Sequence, residues 1–416
     1  MKGKVPYRWW IFGTLAAQYL VVYFQRVSPA VVADRLADTF GISAVSLGLL
    51  SSAYFYSYAI MQIPVGVLSD VWGPKKTIIV FGLIASLGAI SFGCSPNFIC
   101  AIVSRAIVGF GLSAIFIAVM GMLMQLFEAT ELARASGVLM AAGGAGWFLA
   151  TVPLALASQT FGWRTPISGI GVLSIVLIVI MWWSMKDTKL GSKNDARSSG
   201  SGPVQRHTIS DIKTILKDGS FWSIGIWFIM RGGALFGFFG LWAGPYLTTV
   251  HGMSATQTGN VLSMISLSMI VMSPIVGHFS DRIRSRRKVL VWTSVLNVGC
   301  WLAMIWFFEA LSSGMLMTVF FLMGFTTSSV GTLAIIMATE LFPREIAGTS
   351  MGATNLFPFV GAVVFQPLMG YILDKGGKLN GVYTMSSYRV LLMVLLISSV
   401  IALFSIMRSR ETFCGE

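Results

Sequence analysis

From Trp9 to Met407 apolar stretches follow one another with only short polar breaks. Each is long enough to cross a bilayer, which takes ~20 apolar residues for a ~30 Å hydrocarbon core. The pattern predicts about twelve helical spans. The first six lie near 9–32, 44–69, 76–95, 98–126, 133–158 and 165–185. The second six lie near 220–249, 255–280, 287–309, 313–341, 346–373 and 386–408. One long polar segment, Lys186–Ser220, separates the sets. Its Gly191–Pro203 stretch, rich in Ser and Gly, reads as flexible linker. Ile209, Ile212, Ile215 and Leu216 then fall at helical spacing beside Asp211, Lys213 and Lys217, as in a short amphipathic helix on a membrane surface. The expected organisation is a six-helix bundle over 1–185, a cytoplasmic linker over 186–219 and a second six-helix bundle over 220–416. The fold class is all-α integral membrane.

Composition agrees: 55% of residues are hydrophobic, 11% are charged, and mean hydropathy is +0.78. A soluble domain of this size would expose far too much apolar surface. The net charge of +13 could point to nucleic acid, but its placement points to topology. About 21 of the 29 Lys and Arg fall on one side of the predicted spans, as the positive-inside rule requires of a cytoplasmic face. Both termini are therefore expected in the cytoplasm. The first apolar stretch lacks a small-residue cleavage site and is read as a span rather than a signal peptide. Of the four cysteines, Cys94 and Cys100 flank a short loop, where free thiols are favoured over a disulfide. No CxxC cluster suggests a metal, and no cofactor is expected.

The halves repeat one another. Gly66-Val-Leu-Ser-Asp70 follows the second span and Gly277-His-Phe-Ser-Asp281 follows the eighth, with the separation that also relates Gly48 to Gly259. Such a parallel repeat suggests two bundles rocking about a shared central site.

These motifs carry a family resemblance. Gly66, Asp70, Gly73, Lys75 and Lys76 match the G-x-x-x-D-[RK]-x-G-[RK]-[RK] loop of the major facilitator superfamily, with Val71 and Pro74 departing from it. The second copy keeps Gly277, Asp281 and Arg282 but has Arg284 where a glycine is usual. Arg105-Ala-Ile-Val-Gly109-Phe-Gly111 is similar to the family's fourth-span motif. The resemblance implies a cytoplasmic latch built on these loop residues, with Asp70 accepting from a helix N-terminus or from Lys75, Lys76 or Arg134. It also implies that the first, fourth, seventh and tenth spans line a central cavity.

Three arginines fall inside spans of that set: Arg26, Arg105 and Arg231. Each costs about 2.5–3.5 kcal/mol at a helix centre on insertion scales, so each asks for a reason. Arg26 either snorkels outward or faces the cavity. Tyr23-Phe-Gln-Arg26-Val-Ser resembles a first-span pattern of the organophosphate permeases and organic-anion symporters, in which this arginine helps bind substrate. Arg231 resembles a seventh-span arginine of the sugar-phosphate antiporters, and Arg105 is either structural or in contact with substrate. An arginine pair in a low-dielectric cavity would attract a carboxylate or phosphate. Helical spacing puts Tyr19, Tyr23 and Arg26 on one face, Tyr54, Tyr58 and Gln62 on another, and Arg231, Phe238 and Trp242 on a third. Asn355 and the Thr326–Ser329 run add polar groups that serve either substrate or helix packing.

No Asp or Glu lies deep in any predicted span, and Gln25 and Leu112 stand where related anion symporters often carry carboxylates. The expected function is secondary active or facilitative transport of a small organic anion, a carboxylate or sugar phosphate, by alternating access. An exporter of hydrophobic or cationic compounds and a non-transporting membrane sensor are the alternatives. The fifth span lacks the Gly-Pro pair of drug:proton antiporters, and a cationic cargo would want a buried acid. No nucleotide-binding loop or nucleophile constellation suggests an enzyme. The expected partners are an anionic substrate and the lipid bilayer of a bacterial inner membrane, with the chain acting as a monomer and without nucleic acid.

Overall fold

A computed structural model describes residues 5–127, 129–184, 214–329, 333–342, 344–379 and 382–413. The linker residues 185–213 lie outside them, so Ile209 and Ile212 of the expected amphipathic helix are not described. Ile215 is buried, Leu216 is exposed, and Asp218 caps the helix that begins at Gly219.

The apolar stretches wind into helices that run back and forth through one bundle. Span 1 is Val5–Val27 with Pro29–Phe40, span 2 is Ala44–Trp72, and span 3 is Pro74–Gly93. Span 4 is Phe98–Leu112 with Ile115–Leu126, span 5 is Ala129–Leu149 with Val152–Phe161, and span 6 is Arg164–Ser184. Span 7 runs from Gly219 to His251, span 8 is Ala255–Ile283, and span 9 is Arg286–Trp306. Span 10 is Ser313–Ser329 with Ile335–Glu340, span 11 is Arg344–Gly376, and span 12 is Met385–Arg408. Among the described residues nine stretches pass a strict length and hydropathy test for crossing a membrane. Spans 1, 8 and 10 fall short, span 10 contributing the shorter apolar helix Ser313–Thr327.

The irregular spans are 1, 4, 5, 7 and 10. Span 1 bends where Pro29, which has no N–H to donate, starts a new helix. Span 5 bends at Thr151, ahead of Pro153. In span 7, Gly233–Trp242 is π-helical, a winding that is rare and mostly found at functional sites. Irregular helices in a membrane are tolerated where protein or a cavity satisfies the freed backbone.

The halves meet closely at the end of the bundle opposite Val5 and Arg408. Span 11 reaches span 2 there: Asp374 accepts from the backbone N–H of Ala44 at 2.9 Å and of Val45 at 2.8 Å. Tyr383, on a two-stranded hairpin of Lys378–Leu379 and Val382–Tyr383, donates to the same carboxylate at 3.0 Å. Thr248 donates to Asp34 at 3.2 Å, joining span 7 to span 1. Gly244 lies so close to span 1 that a Cβ there would stand 2.0 Å from the Ala30 carbonyl oxygen, so only glycine fits.

At the other end, Arg8 forms a bidentate pair with Glu131 at 2.9 and 2.7 Å, tying span 1 to span 5 inside one half. Glu340 lies 3.6 Å from Arg286 and accepts from Thr412, all within the other half. The loop after span 2 turns at Gly73 with φ +81°. The equivalent turn after span 8 is made by Arg284 at φ +54°, a left-handed conformation that side chains disfavour.

Candidate functional site: an arginine caged between the halves

Arg26 lies in the last turn of the first helix of span 1, where the negative end of the helix dipole favours a cation. The Pro29 break follows directly and keeps that helix end inside the bundle. The side chain is 5% exposed, so it does not snorkel. Its guanidinium carbon stands 4.8 Å from the Tyr23 ring centroid and 5.1 Å from that of Tyr58, both in the first half. It stands 5.2 Å from Phe359 and 5.4 Å from Phe236, both in the second. Arg26 is thus enclosed by aromatic faces from spans 1, 2, 7 and 11. Its Nε has no hydrogen-bond partner, and no carboxylate among the described residues pairs with it. Each such contact supplies about 0.5–2 kcal/mol. The rings therefore offset part of the desolvation cost without neutralising the charge.

The other two membrane arginines have partners of their own. Arg231 donates through Nη2 to the Thr326 hydroxyl at 2.8 Å and lies 6.0 Å from the Trp227 ring. Asn297 donates to the same hydroxyl at 3.2 Å. All these partners belong to the second half. Arg105 is fully buried in the first half, donates through Nη1 to the Gln25 carbonyl at 2.9 Å and packs on Tyr54 and Phe92.

The π-helical stretch corrects one expectation. Arg231, Phe238 and Trp242 share a face only at 3.6 residues per turn, and the wider π turns rotate them apart. Phe238 packs on Trp301 at 5.3 Å, and the Trp242 indole donates to the Gln366 carbonyl at 3.0 Å. Both serve packing, and Phe236 faces the cage instead.

The remaining residues divide into those at the cage and those next to it. Tyr23 and Tyr58 form two of its walls. Tyr19 meets Tyr23 edge-on at 5.4 Å, and Tyr54 stacks on Tyr58 at 5.7 Å. One turn beyond Tyr58, Gln62 accepts from Asn355 at 3.2 Å, a hydrogen bond between spans 2 and 11. In the expected latch, Lys76 lies 5.2 Å from the Trp72 ring, Arg282 is exposed and a Cβ at Gly277 would meet open space. The side chains of Asp70, Arg134 and Asp281, and the surroundings of Gly66, lie outside the described residues, and Lys75 has interactions of its own.

Phe236, Phe359 and Asp374 were not singled out in the sequence. Phe359 had a signal, since it lies one helical turn after Asn355. Asp374 had none, because it acts on a helix start 330 residues away.

Comparison with known proteins places this architecture. The probable sulfoacetate transporter SauU of Cupriavidus necator is 24% identical, over 91% of this chain and 90% of that protein. The probable galactarate/D-glucarate transporter GudP of Bacillus subtilis is 25% identical, over 91% and 88%. The gentisate transporter of Corynebacterium glutamicum is 25% identical, over 97% and 87%. The fold matches an inward-facing bacterial homologue of the lysosomal transporter Spinster with a TM-score of 0.74 at 17% identity, covering 97% of this chain and 98% of that one. A mutant of the nucleoside transporter NupG matches with a TM-score of 0.76 at 11% identity, over 95% and 99%. The family model described as Major Facilitator Superfamily matches residues 15–363 and again 243–412. The chain therefore belongs to the Major Facilitator Superfamily, as a membrane transporter and not an enzyme.

Proposed function

We propose that this transporter moves a small organic anion by alternating access, with Arg26 as the residue that holds the anion. The observation that carries the reading is the Arg26 guanidinium, buried between the halves, faced by rings from both and lacking a counter-charge. A carboxylate entering this site would form bidentate charge-assisted bonds with a guanidinium that has no carboxylate partner among the described residues. The transporters named above, for sulfoacetate, galactarate or glucarate, and gentisate, all have names that specify organic acids. A cationic cargo would meet a like charge at the same point, which disfavours the exporter alternative.

The close contacts at the end away from the termini fit a carrier closed on that side. Its reopening would separate Asp374 from the start of span 2. The basic residues Lys76, Arg282, Arg286, Arg287, Lys288 and Arg408 all cluster at the end of the bundle that carries the termini. That supports a cytoplasmic location for both termini in a bacterial plasma membrane. Two six-helix halves, 1–185 and 220–416, joined by the 186–219 linker, enclose one site, so a monomer suffices.

The test is counterflow in proteoliposomes with labelled acetate, benzoate and glucarate, and with the lipophilic cation tetraphenylphosphonium. Wild-type protein should exchange at least one of the acids, and Arg26→Ala should lose that exchange while reconstituting normally. Exchange of the cation alone, unaffected by Arg26→Ala, would overturn the reading.

A further inference from the structure

The walls around Arg26 narrow the class of anion, and this step rests on the anion reading above. Among the described residues Arg26 is the cation that the four rings enclose, while Arg105 donates to the Gln25 carbonyl and Arg231 to Thr326. A dicarboxylate bound there would leave its second charge without a partner in a low-dielectric site.

The walls themselves are aromatic. Phe55, Phe236 and Phe359 form a mutual cluster with centroids 5.3, 5.8 and 6.3 Å apart. Tyr58 lies 4.5 Å from Phe359, and Trp147 lies 6.5 Å from Phe236. These separations are those at which aromatic rings attract one another by offset or edge-on packing. Apart from the Tyr23 and Tyr58 hydroxyls these faces are apolar, so most hydroxyls of a sugar acid would lose their bonds to water without replacement. Beyond the tyrosine hydroxyls, the Gln62–Asn355 pair lies one turn away, its two amides bonded to each other.

We infer that the site takes a monocarboxylate carried on an aromatic ring. The carboxylate meets the Arg26 guanidinium, and the ring enters between the walls of Tyr23 and Tyr58 on one side and Phe236 and Phe359 on the other. The ligand's ring replaces protein ring faces now held against the guanidinium, so little apolar area becomes wetted on entry. Because the two pairs of walls come from different halves, the same ring also draws the halves together.

The experiment measures binding of benzoate, acetate and D-glucarate to wild-type protein in nanodiscs by calorimetry, with Phe359→Leu and Arg26→Gln as variants. Wild-type protein should bind benzoate at least tenfold more tightly than either other acid. Phe359→Leu should narrow that preference, and Arg26→Gln should abolish binding of all three. Equal or tighter binding of glucarate or acetate that still depends on Arg26 overturns the aromatic class and leaves the anion reading standing. Benzoate binding that survives Arg26→Gln overturns the anion reading itself. Binding of none of the three by wild-type protein overturns the aromatic class. The wild-type ranking alone is decisive if a variant fails to fold.

Discussion

Asn355 donates to Gln62 across 3.2 Å, joining span 11 to span 2 one helical turn from the wall formed by Tyr58. It is a polar bridge between the two halves beside the caged arginine. A buried hydrogen bond of this kind contributes about 0.5–1.5 kcal/mol net, while leaving one partner unpaired costs about 1–3 kcal/mol. Gln62→Leu and Asn355→Leu should therefore each lower the thermal midpoint, and the double variant should lie no lower than the worse single. Additive losses in this double-mutant cycle would mean that the two amides are not coupled.

Asp374 caps the start of span 2 through two backbone N–H groups. Replacing it with Asn removes the charge that favours a helix N-terminus, an effect of about 0.5–2 kcal/mol. Hydrogen exchange of the amides at 44–50 in nanodiscs should rise severalfold in Asp374→Asn, with the amides of span 6 unchanged. Unaltered exchange at 44–50 would remove this contact from the closure of that end.

Arg231 differs from Arg26 in its surroundings, and the two should differ in phenotype. Arg231→Gln breaks the bond to Thr326 and so should lower stability. It should leave the KM for the transported acid within about threefold, whereas loss of Arg26 removes binding. A selective rise in KM in well-folded Arg231→Gln would return Arg231 to the substrate site.

The left-handed backbone at Arg284 costs an L-residue about 1–2 kcal/mol. Arg284→Gly should recover much of that and raise the thermal midpoint, while Arg284→Ala should not. Equal effects of the two substitutions would show that the side chain, and not the backbone, sets the energy there.

Glu411 follows span 12 and receives the Ser285 hydroxyl and the backbone N–H groups of Arg286, at 2.9 Å, Thr412 and Phe413. Burial alone would raise its pKa, but these donors outweigh burial and hold it below the usual carboxylate value. The stabilisation it gives is complete above the pKa of the unfolded chain and is lost as pH falls through the lowered folded value. Glu411→Gln should therefore be less stable than wild type at pH 7, with the gap closing towards pH 3. A gap that persists at pH 3 would contradict the assignment.

The spans were legible because a bilayer demands long apolar runs and the backbone must satisfy itself inside them. Their ends fell within a few residues of the caps at Ser43, Asn97 and Ser285, which are ordinary N-cap residues. The glycine replaced by Arg284 could also be read, since a turn repeated in both halves needs the same backbone. Arg26, Tyr23 and Tyr58 could be named from helical spacing. The failures came where that spacing breaks down. Nothing in Gly-Ala-Leu-Phe-Gly-Phe-Phe-Gly-Leu-Trp announces a π-helix, so Phe236 was missed and Trp242 was placed with Arg231. The partners of Arg26, Arg105 and Arg231 could not be read because hydropathy reports depth, and depth does not tell which way a side chain points.

If Arg26 holds the anion as proposed, its lack of a carboxylate partner among the described residues gives the empty carrier an electrical character which the loaded one lacks. With an acid bound as proposed, the Arg26 charge is neutralised, so a voltage gains less purchase on the loaded conformational change. Unloaded, the guanidinium presents one uncompensated elementary charge to a field worth about 2.3 kcal/mol per 100 mV across the whole membrane. If the return step shifts that charge through even a fraction of the field, an imposed potential will speed or slow the empty carrier while exchange between loaded states proceeds unaltered.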